Sequence, residues 1–317
     1  MTRLPEIAVE AVGLHKRFGA VTAVDDVSLT VPTGSVCGVL GPNGAGKTTT
    51  VRMLATLLRP DGGSARVFGR DVVTDATAVR SLISLTGQYA SIDEDLTATE
   101  NLQLFARLRG FRGPRARTRA SELIEEFGLT DAADRPVSGF SGGMRRRIDL
   151  AVSMITRPAL LFLDEPTTGL DPATRAQVWA AVRELVGAGS TVVLTTQYLD
   201  EADQLADSLV VIDHGRVVAD GPADALKDRV GSRTLQITLE RPEQFGQALT
   251  IMQTLLGDAV TPTPEAGRIT AGISDPSVVA RVVTAFDDAA IPLAELTVQR
   301  PSLDEAFFAI TGNEVPA

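Results

Sequence analysis

The sequence predicts an α/β protein: a largely parallel sheet with helices on its faces, followed by a smaller α+β unit. Three observations carry this. The apolar run SVCGVL (Ser35–Leu40) leads through a glycine-rich loop into the helical pattern TTTVRMLATLL (Thr48–Leu58). A second apolar run, ALLFL (Ala159–Leu163), ends in Asp164 and Glu165. Beyond about residue 228, short alternating strands take turns with amphipathic helices. Continuous apolar runs fit strands covered on both faces, and strand–helix alternation fits a parallel sheet. A length of 317 residues favours two domains, and the change of pattern divides the chain into 1–228 and 229–317.

Composition narrows the classes. A hydrophobic fraction of 44% supplies a sizeable core, and a net charge of −10 argues against a nucleic-acid sheath. Cys37, the single cysteine, lies in an apolar run and reads as a buried, reduced thiol in a cytosolic setting. The opening MTRLPEIAVE lacks the apolar core of a signal peptide, and no apolar run approaches the ~20 residues that span a bilayer. Any action on a membrane is therefore expected to pass through a partner. Of the two histidines, His214 falls in the Asp-His-Gly turn of a hairpin, VVIDHGRVV. So little His and Cys argues against a zinc site or a Ser-His-Asp hydrolase.

Taken in chain order, the first functional element is the loop Gly41, Pro42, Asn43, Gly44, Ala45, Gly46, Lys47, Thr48, Thr49. It matches the phosphate-loop pattern in full, between a strand and a helix. Small residues let the backbone wrap a phosphate with its N–H groups inward, and the helix start adds partial positive charge. Lys47 is placed to reach the β and γ phosphates, and the Thr48 hydroxyl suits Mg²⁺. Next comes Ser141-Gly142-Gly143, a serine N-cap followed by glycines that open the backbone at a helix start. Alone it reads as an ordinary cap; its place just before LLFLDEP makes it a second anion-site candidate. Asp164 and Glu165 then sit at the carboxyl end of a buried strand, where open α/β sheets bind ligands. Alone the pair reads as two solvated acids; beside a phosphate loop, Asp164 is the Mg²⁺ anchor and Glu165 the general base for water. Asp171 caps the following helix with Pro172 at its first position, and Val178, Trp179, Val182, Leu185 and Val186 form its core stripe. The strand TVVLTT delivers Gln197 to the same sheet edge.

In this order the phosphate loop, FSGGM, LLFLDEP and TTGLD resemble the nucleotide-binding subunit of ABC transporters, over about residues 5–225. The resemblance implies a P-loop NTPase fold: a RecA-like core with an antiparallel β edge and a helical subdomain near residues 96–135. It implies ATP with Mg²⁺ held by Thr48, Gln88 and Asp164, and a homodimer in which Ser141, Gly142, Gly143 and Met144 of one subunit close over the other's phosphates. Phe18 resembles the aromatic that stacks on adenine, its alternative being a core aromatic on an edge strand. Gln88 resembles the glutamine that touches Mg²⁺ and the attacking water, and Asp171 the loop that acts across the dimer. Lys47, Gln88, Glu165 and Gln197 are the catalytic set.

Two departures stand out. Met144 and Phe140 replace residues that flank the family's serine and glycines, which are intact. Gln197 stands where histidine is usual; an amide donates a hydrogen bond but carries no proton near neutral pH. Hydrolysis is expected to persist through Glu165. More narrowly, TGQYASIDEDLTATENL, FSGGMRRRIDLA and TTQYLDEADQLAD resemble the daunorubicin-resistance (DrrA-type) ATP-binding subunits of actinobacteria. That implies an exporter of hydrophobic drugs, antibiotics or lipids, with a separate integral membrane permease (DrrB-like, ABC-2 type), at the cytoplasmic face of the membrane and with no nucleic acid. The alternatives are a non-transport ABC ATPase, or a nucleotide-gated regulatory subunit for which Gln197 is the sole support.

Arg145–Arg147 and RLRGFRGPRARTRA (Arg107–Ala120) read as solvated helix faces, or as attraction to a membrane surface or to a partner's helices. The tail reads β-α-β-α-β-α: TLQITL, a helix, the Pro-rich link TPTPEAG, RITAGI, a helix, PLAELTVQR and a last helix in SLDEAFFAITG. It carries no phosphate loop or acid/base pair and is expected to support the dimer or regulate it. PSLDEAFFAITG resembles a DrrA-type ending that assists assembly, with Phe307, Phe308 and Ile310 docking on the body or on a partner.

Overall fold

Two long strands, β1 (Ile7–Phe18) and β2 (Val21–Pro32), open the chain, followed by the fully buried β3 (Val36–Leu40) and α1 (Lys47–Leu54). The computed structural model describes residues 4–86, 92–230, 233–257, 260–264, 267–273, 275, 277–299, 303, 306 and 307. After α1 come β4 (Gly62–Val67), β5 (Arg70–Asp71), α2 (Ala76–Arg80), β6 (Ile83–Thr86), α3 (Ala98–Leu108) and α4 (Pro114–Glu126). Ser141 then caps α5 (Gly142–Ser153), followed by β7 (Leu160–Asp164), α6 (Pro172–Gly187), β8 (Thr191–Thr196) and α7 (Leu199–Leu205). The hairpin β9 (Ser208–Asp213) and β10 (Arg216–Gly221) turns at His214, as its Asp-His-Gly sequence predicts. The chain divides into two compact units, Met1–Ala223 and Asp224–Ala317, with α8 (Ala223–Val230) at the division.

The first unit holds a four-stranded antiparallel sheet, β2-β1-β4-β5, and a six-stranded sheet, β10-β9-β3-β8-β7-β6. In the second sheet every pairing but that of β10 is parallel. Its central strands β3, β7 and β8 are buried throughout and mostly apolar, because both faces are covered. Alternate residues serve different cores: Leu161, Leu163, Val192 and Leu194 face one cluster, and Leu160, Phe162, Val193 and Val39 the other. The first cluster includes residues of α3, α4, α5 and α6; the second contains α1 and the antiparallel sheet. Cys37 belongs to the second, wholly buried, and burial pushes its thiol up to about 11. In register, Leu40 pairs with Thr196 and Asp164 with Thr195. The ends of β3, β7 and β8 therefore lie level along one edge.

Caps set the helix starts. Thr97 and Glu100 form a reciprocal capping box on α3, and Pro114 occupies the first turn of α4. The basic clusters need a correction. Arg107, Arg109, Arg112, Arg115 and Arg117 are exposed, as a solvated face requires, but Arg119 is buried and donates to the carbonyls of Met154 and Ile155. Arg145 donates to Ser138 and Phe140 carbonyls and pairs with Glu94 at 2.6 Å, and Arg147 donates to Phe127 and Gly128 carbonyls. The guanidinium forks donate to carbonyls at turns and helix ends, where the intrahelical ladder runs out. These three act as struts, while the five exposed arginines keep the solvated-face reading.

The second unit contains β11 (Arg233–Leu239), α9 (Phe245–Leu256), β12 (Val260–Thr263), β13 (Arg268–Ile273), α10 (Val278–Asp288) and β14 (Leu293–Gln299). The strands form an antiparallel sheet in the order β12-β13-β11-β14, a split β-α-β arrangement. The Pro-rich stretch expected as a link is thus partly a strand. Pro262 is tolerated there because β12 is an edge strand, where a missing N–H breaks no inner ladder. Met252, Val282 and Phe286 pack on Leu235, Ile237 and Ile269. Of the final helix, Leu303 and Ala306 are buried; Phe308 and Ile310 lie outside the described residues. Among the described residues no helix is long and apolar enough to cross a membrane.

Candidate functional site

The glycine-rich loop leaves β3 at the level edge and feeds α1. Gly46 takes φ 105°, and a side chain there would collide with the Ala23 carbonyl oxygen. Gly41 is packed as closely on the Ile212 carbonyl. Only glycine permits these approaches. A hollow of about 230 Å³ results, lined by Ala23, Asn43, Gly44, Ala45, Gly46, Lys47, Thr48, Thr49 and Glu165. Lys47 is 4% exposed, and its Nζ donates to the carbonyls of Gly41 at 2.6 Å and Pro42 at 2.9 Å. Burial lowers its pKa; Glu165 and Asp164 oppose the shift by favouring the charged form.

The carboxylates arrive from β7. Asp164 is buried, and its Oδ1 accepts from Thr48 Oγ1 at 3.0 Å and from Thr195 Oγ1 at 2.6 Å. A hydroxyl and a carboxylate at the mouth of a phosphate loop fit Mg²⁺, which takes few protein oxygens and shares the rest with phosphate and water. Among the described residues no cluster of three or more His, Cys, Asp or Glu forms an alternative metal cage. Glu165 sits at φ 50°, a left-handed conformation rare outside glycine. Its N–H meets both the carbonyl and the hydroxyl of Thr195 at 3.1 Å, and Oε2 accepts from Thr168 Oγ1 at 3.3 Å. The backbone turn carries the carboxylate out of the sheet to the lip of the hollow.

Ser141 caps α5, its Oγ accepting from Met144 N–H at 3.3 Å. Gly142 and Glu165 line a second hollow of about 400 Å³, together with Arg146, Asp149 and Gly169. Glu165 thus borders both hollows, while Ser141, Gly142, Gly143 and Met144 line none of the phosphate-loop hollow. Asp171 caps α6 by accepting from Thr174 N–H at 2.9 Å and Thr174 Oγ1 at 2.7 Å, which keeps its carboxyl below the usual range. Gln197 follows β8 directly; it is half-buried, and its side chain makes no hydrogen bond among the described residues. Phe18 is 50% exposed with Lys16 Nζ 5.8 Å from its ring centre, so of its two readings the core aromatic is the one the structure rejects. Gln88 lies outside the described residues.

Thr195 and Glu201, which sequence reasoning passed over, belong to this edge, and so does Arg146, which the sequence read only as part of a solvated basic cluster. Thr195, fully buried, bonds Asp164 and Glu165 together; the only signal was a threonine pair closing an apolar strand. Arg146 reaches from α5 to the backbone around Glu165. Glu201 in α7 is wholly buried and accepts from the Trp179 indole at 3.3 Å, and burial pushes its carboxyl above the ordinary range.

A family model described as ABC transporter matches residues 24–168. The daunorubicin/doxorubicin resistance ATP-binding protein DrrA of Streptomyces peucetius is 52% identical over 313 residues, 99% of this chain and 95% of that protein. Nod factor export ATP-binding protein I of Ralstonia nicotianae is 37% identical over 314 residues, 98% and 95% of the two chains. Among solved structures, the ATP-binding subunit of an ABC transporter matches with a TM-score of 0.64 and 27% identity, covering 70% of this chain and 92% of that one. The chain belongs to the ABC transporter family of ATPase subunits, in the branch of the daunorubicin-resistance ATP-binding proteins.

Proposed function

We propose that this chain hydrolyses ATP to drive export of hydrophobic drugs, antibiotics or lipids through a separate membrane permease of the DrrB-like, ABC-2 type. Residues 1–228 are the nucleotide-binding engine and 229–317 an accessory unit. Two copies pair head to tail at the cytoplasmic face of the membrane, the Ser141 cap of each facing the phosphates held by the other. The observation that carries this is the meeting of Lys47, the Thr48–Asp164 pair and Glu165 around one hollow, with the serine-glycine-glycine helix opening on another. Names borne by relatives, one a drug-resistance and one an export ATP-binding protein, support the outward direction.

In this reading Lys47 exchanges its loop carbonyls for the β and γ phosphates. Thr48 and Asp164 would hold Mg²⁺, which supplies charge neutralisation on the phosphates. Water attacks the γ-phosphorus in line, and the bridging P–O bond to ADP breaks. Glu165 orients that water and takes its proton. Gln197 and Phe18 are assigned to the γ-phosphate and the adenine, and Gln88 to the water and the permease. The test is Glu165→Gln. Phosphate release should fall by roughly 10²-fold or more while ATP affinity stays within a few-fold. Cells carrying that variant with the permease should retain a fluorescent anthracycline that wild-type cells expel. Turnover persisting in Glu165→Gln removes Glu165 from its role; equal drug retention in both strains removes the drug from the cargo.

A further inference from the structure

Arg146 has no part in the chemical step, yet its guanidinium holds the backbone on which that step turns. Nε donates to the Pro166 carbonyl at 2.8 Å, and Nη2 donates to the carbonyls of Asp164 and Glu165 at 3.3 Å each. Nη1 lies 3.4 Å from Asp149 Oδ2, an ion pair within α5, and the arginine side chain is only 14% exposed. One fork therefore grips three consecutive carbonyls where β7 leaves the sheet.

The left-handed turn at Glu165 is what this grip braces, beside the Thr168 N–H that also donates to the Glu165 carbonyl at 3.4 Å. A residue at φ 50° has rotated peptide planes, so its flanking carbonyls leave the strand ladder. Buried carbonyls need donors. On the other side the Glu165 N–H is held by Thr195 of β8. The carboxylate is thus pinned through its own backbone from two elements, β8 and α5. The start of α5 also rests on α6: a methyl group added at Gly143 would lie 3.1 Å from Thr174 Cγ2, and Thr174 is the residue that Asp171 caps.

We propose that Arg146 is a positioning residue for hydrolysis. It keeps Glu165 in its left-handed turn, and it joins the helix that faces the partner's nucleotide to the carboxylate that acts on the chain's own. This rests on the proposed pairing of two copies around two nucleotides. Closure of the α5 cap on one nucleotide is then transmitted, within the same chain, to the general base at the other.

The test uses the full-length chain with its permease, reading phosphate release against ATP concentration and the affinity for a fluorescent ATP analogue. Arg146→Gln should lower kcat by about 10²-fold, the scale of a reacting group displaced by about 1 Å, with analogue affinity unchanged. The Hill coefficient for ATP should fall toward one. Arg146→Lys keeps the charge but loses the planar fork, and should give an intermediate kcat. A wild-type kcat in either variant overturns the proposal, as does a loss of kcat matched by an equal loss of affinity. Should Arg146→Gln not fold, the kcat of Arg146→Lys decides alone. Glu165→Gln is run alongside: turnover in that variant sinks the site reading, whereas an inactive Glu165→Gln beside a fully active Arg146→Gln sinks the clamp only.

Discussion

Gln197 replaces a group that could carry a proton with one that donates a neutral N–H. Its neighbourhood is otherwise complete: Thr195, two residues earlier, bonds both Asp164 and Glu165. Glu165 and Asp164, the proposed base and metal-facing acid, are therefore ordered without any help from residue 197. Gln197→Ala should lower kcat by roughly 10²-fold with ATP affinity retained, the usual effect of removing one donor to a developing charge. Gln197→His should keep the rate within a few-fold and add a limb near pH ~6.5 to the kcat profile, from imidazole titration. A rate unchanged in Gln197→Ala would show that the amide does not contact the phosphate. The residue's place was legible in the sequence because TVVLTT reads plainly as a buried strand. The role of Thr195 was not, since a threonine in an apolar strand looks the same whether it packs or bonds.

At the scale of elements, α6 and α7 are joined by the Trp179–Glu201 hydrogen bond beneath the edge that bears Gln197. Trp179 was legible as a core residue from its 3.6-residue stripe, and it is half-buried against that core. Its bond to Glu201 was hidden, because nothing in DEADQL distinguishes a buried acid from a solvated one. Burial raises the Glu201 carboxyl above its ordinary 4.5 against hydrogen bonds that lower it, so the folded state binds its proton more tightly than the unfolded chain does. Its contribution to stability is therefore complete below pH 4.5 and is lost as pH rises through the raised folded value. Glu201→Gln, which never ionises, should show a melting advantage over wild type that grows across that rise and reaches roughly 1–3 kcal/mol at neutral pH. Thermal unfolding measured from about pH 4 to 8 checks it; a constant difference would mean that burial does not raise the Glu201 carboxyl.

For the whole molecule, the separation of the two hollows matters most. Within one chain Ser141 is not part of the phosphate-loop hollow, though Glu165 borders both. On the proposed head-to-tail pairing, a single copy so arranged carries two half-sites. Glu165→Gln, expected to hold ATP without turnover, should therefore elute as a dimer in ATP and as a monomer without it. Adding Ser141→Arg should abolish that dimer while each monomer still binds ATP. Loss of the cap itself costs about 1 kcal/mol, too little to unfold a domain. A dimer that survives the added arginine would place Ser141 away from the interface. The accessory unit shows the limit of pattern reading at this scale. Its strands and helices were legible from alternation and periodicity, but TPTPEAG read as a link because Pro262 and Pro264 obscured the edge strand that ends at Thr263.

The sequence by itself determined the chemistry at the ligand: the loop of small residues, the lysine, the hydroxyl, the two acids and the capped helices. Each of these is local, written in dihedral preference, side-chain type and short spacing. Only the tertiary structure decided what holds that chemistry in place. Thr195 reaches Asp164 from 31 residues away, and Arg146 reaches the Pro166 carbonyl across 20. A buried donor takes whichever acceptor the closed sheet and packed helices leave unpaired, and that choice exists only once the chain has folded.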